Sequence, residues 1–216
     1  MTMLEILTTT LLVAGLAGCL AAPLGILLGY WMARSEFPGK SVVETLIALP
    51  LTLPPTAIGY LLLVLFSRGG LLGNWSPEFL FTWKAAVLSA AVMALPLMAR
   101  TARAAFAEVD PRLELMGRSS GLGSLAVFQR ITLPLARRGL LAACLLGFGR
   151  AMGEFGATVI VAGIIPGETE TLSLAIFQEI QLGNSDGALQ LVAIATLLSF
   201  LLVWTTERLL RRRASS

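Results

Sequence analysis

Arg150 and Glu154 carry opposite charges four residues apart, and they are the sole charged side chains of residues 139–167. Residues at that spacing on a helix share a face and can pair. An isolated charge in hydrocarbon costs about 2.5–3.5 kcal/mol on insertion scales, so both are expected to have a reason to be there. Two readings fit: a clamp between helices, or a lining that tunes the field felt by an anion on a polar route. Arg150 attracts an oxyanion, but tight retention would oppose release, and a pathway needs weak contacts. Arg150, Glu154 and the nearby Thr158 are therefore candidates for a pathway or gate, not for a binding site. Pro54 and Pro55 join them. With Pro50 they interrupt a second apolar run, and the donors and carbonyls they free must be satisfied by protein or water. That favours a bent helix lining a pathway over a straight one facing lipid.

Other chemistry is poorly supplied. The chain has no His, which removes the commonest general base and neutral metal ligand. Cys19 and Cys144 each lie in an apolar stretch and read as small packing residues, too few for a zinc cluster. No catalytic or metal-binding set is expected. Gly39-Lys40-Ser41 has the end of a phosphate-binding loop, but the earlier glycine would fall where Arg34 stands, and no strand precedes it.

The elements that must hold these residues are membrane spans. Apolar residues make up 56% of the chain and charged ones 13%, against about 45–50% and 25% in soluble domains. A crossing helix needs about 20 apolar residues. The uncharged runs predict five spans, roughly 9–33, 45–67, 80–101, 138–162 and 187–206, within a single domain, 1–216. The N-terminus has no basic residue before its long apolar run, so that run is expected to stay in the mature protein rather than to be a secretory signal. Gly25-x-x-x-Gly29 and Gly149-x-x-x-Gly153 fit close helix packing, with backbone flexibility at a gate as the other reading.

The basic residues set the orientation. With the N-terminus outside, the inner segments hold Arg34, Lys40, Arg100, Arg103, Arg112, Arg118, Arg130, Arg137, Arg138, Arg208, Arg211, Arg212 and Arg213, which is 13 of the 16. Only Arg68 and Lys84 lie outside, and Arg150 sits within a span. This predicts the N-terminus outside and the C-terminus in the cytoplasm. The outer segment 163–186 places Leu172, Ala175, Ile176, Glu179 and Ile180 at helical spacing, an amphipathic run at the outer face.

The longest inner segment, about 102–137, starts a helix well at Asp110-Pro111, an N-cap acceptor followed by a residue that needs no donor. Gly121 and Gly123 then break the run. The segment reads as two short helices around a glycine turn on the cytoplasmic face. It either docks a soluble partner or rests on the headgroups.

A glycine, nine residues and then Ile131-Thr132-Leu133-Pro134 matches the second half of the cytoplasmic signature of ATP-binding-cassette (ABC) importer permeases. The first half of that signature, Glu-Ala-Ala, is replaced by Leu115-Met116-Gly117, and Glu114, one residue earlier, is placed to take the acidic role. Gly149-Arg150-Ala151-Met152-Gly153-Glu154-Phe155-Gly156-Ala157-Thr158, then Ile165-Pro166-Gly167-Glu168-Thr169-Glu170-Thr171-Leu172, and Leu49 through Thr56 resemble permeases of molybdate importers closely and sulfate permeases somewhat less.

The resemblance implies an all-α polytopic protein of about five crossings with the type I, MetI-like permease fold. The inner segment would be a coupling helix, with Asp110, Glu114, Gly121, Ile131, Leu133 and Pro134 as its key positions. It implies a homodimer of permeases in the bacterial inner membrane, two cytoplasmic ATPase subunits and a periplasmic or lipid-anchored molybdate-binding protein near the 163–186 segment. No cofactor is expected in this chain, with ATP and magnesium bound by the partner subunit. No nucleic-acid partner is expected. A sulfate or thiosulfate permease is the alternative within the family, and a secondary anion transporter or channel the alternative outside it. A secondary transporter often shows an internal repeat, and the five runs show none.

Overall fold

The computed structural model describes residues 2–73 and 78–211, with side chains as far as Arg208. Arg212 and Arg213, assigned above to the inner tail, lie outside the described residues, as does the side chain of Arg211. Among the described residues every regular element is helical: α1 (Met3–Arg34), α2 (Lys40–Thr52), α3 (Pro55–Phe66), α4 (Trp83–Ala107), α5 (Pro111–Ser119), α6 (Ser124–Val127), a π turn (Phe128–Thr132), α7 (Leu133–Met152), α8 (Gly156–Ala162), α9 (Leu172–Gln181) and α10 (Ser185–Arg211).

Four stretches are long and apolar enough to cross a membrane: α1, α4, the continuous run Ser124–Met152, and α10. The pair α2 and α3 passes the same test taken together, with a bend of 105° between them, and makes a fifth crossing if the two count as one broken span rather than a re-entrant loop. Pro54 is the N-cap of α3 and Pro55 its first residue. Neither can donate a backbone hydrogen bond, so the turn that would have joined the two helices cannot form. The helices run past several of the apolar runs that announce them. α1 starts at Met3 because Thr2 and Glu5 form a reciprocal capping box there.

The core is a three-helix unit of α1, α4 and α7, built on small residues. α1 buries Ala14, Ala17, Ala21, Gly25 and Gly29. A Cβ added at Gly25 would stand 2.9 Å from the Met98 Cβ, and one at Gly29 would stand 2.7 Å from the Ala102 Cβ. Helices in lipid gain little from hiding apolar surface, so close backbone approach and dispersion hold them together. Gly25 and Gly29 are packing residues on this evidence. Gly149 is one too, facing Leu202 of α10, whereas Gly153 closes the end of α7.

The fourth crossing departs from the sequence reading twice. Only one short helix, α5, stands apart before the glycine turn. The helix after it runs from Ser124 through the π turn into α7 without a break. Pro134 explains the π turn: it lacks the donor for a bond to the carbonyl four residues back, and its ring clashes with that carbonyl. The chain relieves this by widening, and Leu133 donates five residues back, to the Phe128 carbonyl. At its other end the crossing stops at Met152 instead of running to 162. Residues 153–155 are not helical, and α8 follows as a separate piece.

Candidate functional site

Glu114 is the most connected candidate. It sits on the first turn of α5 and is only 6% exposed. One carboxylate oxygen, Oε1, accepts from Arg34 Nε at 3.1 Å, from Arg34 Nη2 at 2.7 Å and from the Thr132 hydroxyl at 2.8 Å. Arg34 Nη2 also donates to the Val109 carbonyl at 3.1 Å. One acidic side chain therefore ties the end of α1, the α4–α5 junction and the π turn into a single node. The widening at Pro134 lies beside the hydroxyl that completes it. Beneath lies an aromatic layer. Tyr30 of α1 meets Phe106 of α4 edge-on at 5.2 Å and Phe128 of the π turn at 4.9 Å.

The other residues of this segment shape it. Asp110 caps α5, accepting from the Arg112 amide at 2.9 Å. Gly121 has φ of +85°, the left-handed region that side chains avoid, while its own Cβ position is open space. Ile131 packs over Gly117, where a Cβ would stand 2.6 Å from the Ile131 Cδ1. Leu133 and Pro134 are exposed. So are Leu113, Leu115, Met116 and Leu125, at 41%, 60%, 65% and 68%. These four apolar side chains stand on a short polar helix and at the start of the next one, interleaved with Arg112 and Arg118.

The second group gathers where α7 ends. Arg150 and Glu154 do pair, Nη1 to Oε2 at 2.5 Å. They do not share a helix face, because the helix closes at Gly153 before Glu154 is reached. The other Glu154 oxygen, Oε1, accepts from the Ala157 amide at 2.9 Å, so the same carboxylate bridges the break to α8. Glu154 is 3% exposed. Thr158 is buried in α8, and its hydroxyl lies 3.0 Å from that of Ser89 on α4. Pro54 and Pro55 adjoin this region, since α3 packs on α8: a Cβ at Gly156 would lie 2.8 Å from the Pro55 Cβ. The structure thus brings Arg150, Glu154, Thr158, Ser89 and Pro55 into one neighbourhood.

The segment 163–186 holds α9 between α1 and α10. Its buried side uses Leu172 and Ala175 against Ile6 and Leu191. The Thr10 hydroxyl of α1 accepts from the Leu172 amide at 2.8 Å. Just before α9, Glu170 is 6% exposed. Burial pushes its carboxyl above its ordinary value of 4.5, and nearby Glu179 pushes the same way. A cavity of about 790 Å³ opens beside this end of α1, among Thr8, Thr9, Thr82, Lys84 and Glu168. No residue of the two groups above lines it.

The sequence reading missed Arg34, Thr132 and Ser89 as site members. Arg34 stands 80 residues from Glu114 and looks like any other basic residue at the end of a span. Ser89 sits in an Ala-rich run with nothing to mark it. Thr132 was inside the quoted motif, and its polarity between Ile131 and Leu133 was the available signal.

Residues 25–215 match the family described as binding-protein-dependent transport system inner membrane component. The chain is 41% identical to the molybdenum transport system permease protein ModB of Escherichia coli (strain K12), over 94% of this chain and 91% of that protein. It is also 41% identical to the putative molybdenum transport system permease protein YvgM of Bacillus subtilis (strain 168), over 91% and 88%. Identity to the sulfate transport system permease protein CysT of Salmonella typhimurium (strain LT2) is 31%, over 94% and 75%. Among solved structures, the inward-facing MetNI methionine ABC transporter superposes with a TM-score of 0.70 at 20% identity, over 96% of this chain and 92% of that one. That likeness shows the fold.

Proposed function

Because the chain belongs to the family of binding-protein-dependent transport system inner membrane components, we propose that it is the permease subunit of an ATP-driven importer of molybdate. It is a multi-pass inner-membrane protein. The observation that carries the coupling role is the set of exposed apolar residues Leu113, Leu115 and Met116 on α5, which belongs to no crossing, with Leu125 exposed beside them in the first turn of the crossing that follows. Apolar side chains on a polar helix mark a surface that something else covers. In this reading the cover is a cytoplasmic ATPase subunit that binds the ATP and magnesium, and the basic ends of the crossings face the cytoplasm. The N-terminus is then outside and α9 faces the binding protein.

Two copies around a two-fold axis enclose the route. Closure of the ATPases on ATP displaces α5, and the crossings follow from inward-facing to outward-facing. The ATPases can drive this only by contacting the two states differently, which is the work of Asp110 through Pro134. Arg150, Glu154 and Thr158 border the route. With its charge already paired, Arg150 offers an oxyanion weak attraction and quick release. Molybdate is favoured over sulfate because the molybdenum permeases are the nearer relatives, at 41% against 31%.

The test is reconstitution with the ATPase and the binding protein in vesicles. Molybdate uptake should require ATP and both partners, and excess sulfate should compete poorly. Anion movement by the chain alone, without ATP, would establish a secondary transporter instead. Equal competition by sulfate would overturn the substrate.

A further inference from the structure

Glu114 holds the acidic position of the segment that meets the ATPase, yet it is buried, and its Oε1 is taken up by Arg34 and Thr132. It therefore faces into this chain and away from a docking partner. Arg34 is the last residue of α1, a helix of 32 residues and so about 48 Å long. At the other end of that helix the Thr10 hydroxyl holds the Leu172 amide at the start of α9, and Ile6 packs with Leu172 and Leu191. Between the two ends, Gly25 and Gly29 press α1 against α4 at backbone distance. α1 is thus held at Arg34 and, two turns in from its start, at Thr10, and between them it is pressed on α4 just past the interior Pro23.

We propose that α1 is a strut linking the ATPase-facing segment to α9, with Arg34 as the positioning residue at one end and Thr10 at the other. Displacement of α5 pulls on Glu114, and the guanidinium passes it to α1. α1 then shifts the start of α9, the surface assigned above to the binding protein. The same link works in reverse: a loaded binding protein pressing on α9 biases the position of α5, and hence hydrolysis on the far side of the membrane. Reciprocity of this kind is required of any coupling between two sites. The inference rests on the importer reading and adds the physical connection between its two docking faces.

The experiment uses the complete importer in vesicles, with ATP hydrolysis measured with and without molybdate-loaded binding protein. Thr10→Val should leave basal hydrolysis near the wild-type rate and cut the stimulation by about 10-fold, a usual size for coupling between sites. Arg34→Ala should cut the stimulation as far, with some loss of basal hydrolysis because it leaves Glu114 buried without its guanidinium. Both changes break one connection, so the double variant should be no worse than the poorer single one. Arg34→Lys keeps the charge and loses the fork, and it should recover more than half of the stimulation. If Arg34→Ala is stimulated like wild type, or if the two losses multiply, the strut is wrong while the importer stands. If Arg34→Ala lowers basal hydrolysis as well, Arg34→Lys decides: normal basal activity with reduced stimulation supports the strut, and loss of both in parallel overturns it. A wild-type complex that ignores the loaded binding protein would sink the importer reading itself.

Discussion

Two buried carboxylates hold arginines in this molecule, and they do different work. Glu154 takes Arg150 from four residues back in the chain and an amide from three residues ahead. Its bonds are local, and their effect is to give shape to a break in one crossing. Glu114 takes Arg34 and Thr132, 80 and 18 residues away. Its bonds fasten three elements that otherwise meet through apolar surface. A local pair can be lost with little disturbance beyond its own turn. A pair that bridges distant elements makes them move together, and this is what a segment gripped by a motor requires.

The sharpest way to break the contrast is to remove each acid. Glu114→Ala leaves the half-buried Arg34 with the Val109 carbonyl but without its carboxylate, and takes the acceptor from the Thr132 hydroxyl. Breaking a buried pair from one side costs up to about 3–5 kcal/mol. A fall in thermal stability of that order in detergent, with loss of transport, is expected. Glu154→Gln keeps an acceptor for the Ala157 amide and removes only the charge opposite Arg150. The cost should be smaller, about 1–3 kcal/mol, and transport should persist at reduced rate. Equal losses in the two variants would erase the distinction.

Gly121→Val extends the comparison to the turn that follows α5. The glycine's φ of +85° strains any branched residue, by about 1–2 kcal/mol, while the open space around it spares the packing. Insertion and assembly should survive, and stimulation of hydrolysis by loaded binding protein should fall. Normal stimulation would remove Gly121 from the coupling segment.

Glu170 is a third buried carboxylate, with no arginine or lysine in ion-pair distance among the described residues. Its raised pKa means that the folded chain holds the proton more tightly than the unfolded chain. Stability from this group is therefore complete below the ordinary value of 4.5 and is lost as pH rises through the raised one. Glu170→Gln should be slightly more stable than wild type at neutral pH, an advantage that disappears on acidification below 4.5. Thermal unfolding across that range measures it. A pH-independent difference would mean that the carboxyl binds its proton equally well folded and unfolded.

The comparison also explains what could be read in advance. Periodicity and charge reveal local facts: the apolar runs, the capped start at Asp110, the spacing of Arg150 and Glu154, the elbow at Pro54 and Pro55. The partner of Glu114 depends on where the end of α1 falls beside α5, which follows from the glycine contacts of α1 with α4 across most of the fold. Nothing at position 34 announces it. The break after Met152 was hidden for a different reason. Residues 153–162 are as apolar as a continuing helix, and the stop depends on one carboxylate reaching forward to an amide.

The π turn has a geometric corollary. One residue more than an α-helix would use, it resets the angular phase of everything after it by about 100°. Arg150 follows Thr132 by 18 residues, which is five whole turns of an ideal helix and about 27 Å of rise. The residue that touches Glu114 and the residue that faces Glu154 are thus in azimuthal alignment along one shaft. Deleting a single residue from 128–131 would leave that alignment intact and turn both residues together by about 100° relative to the helix start at Ser124.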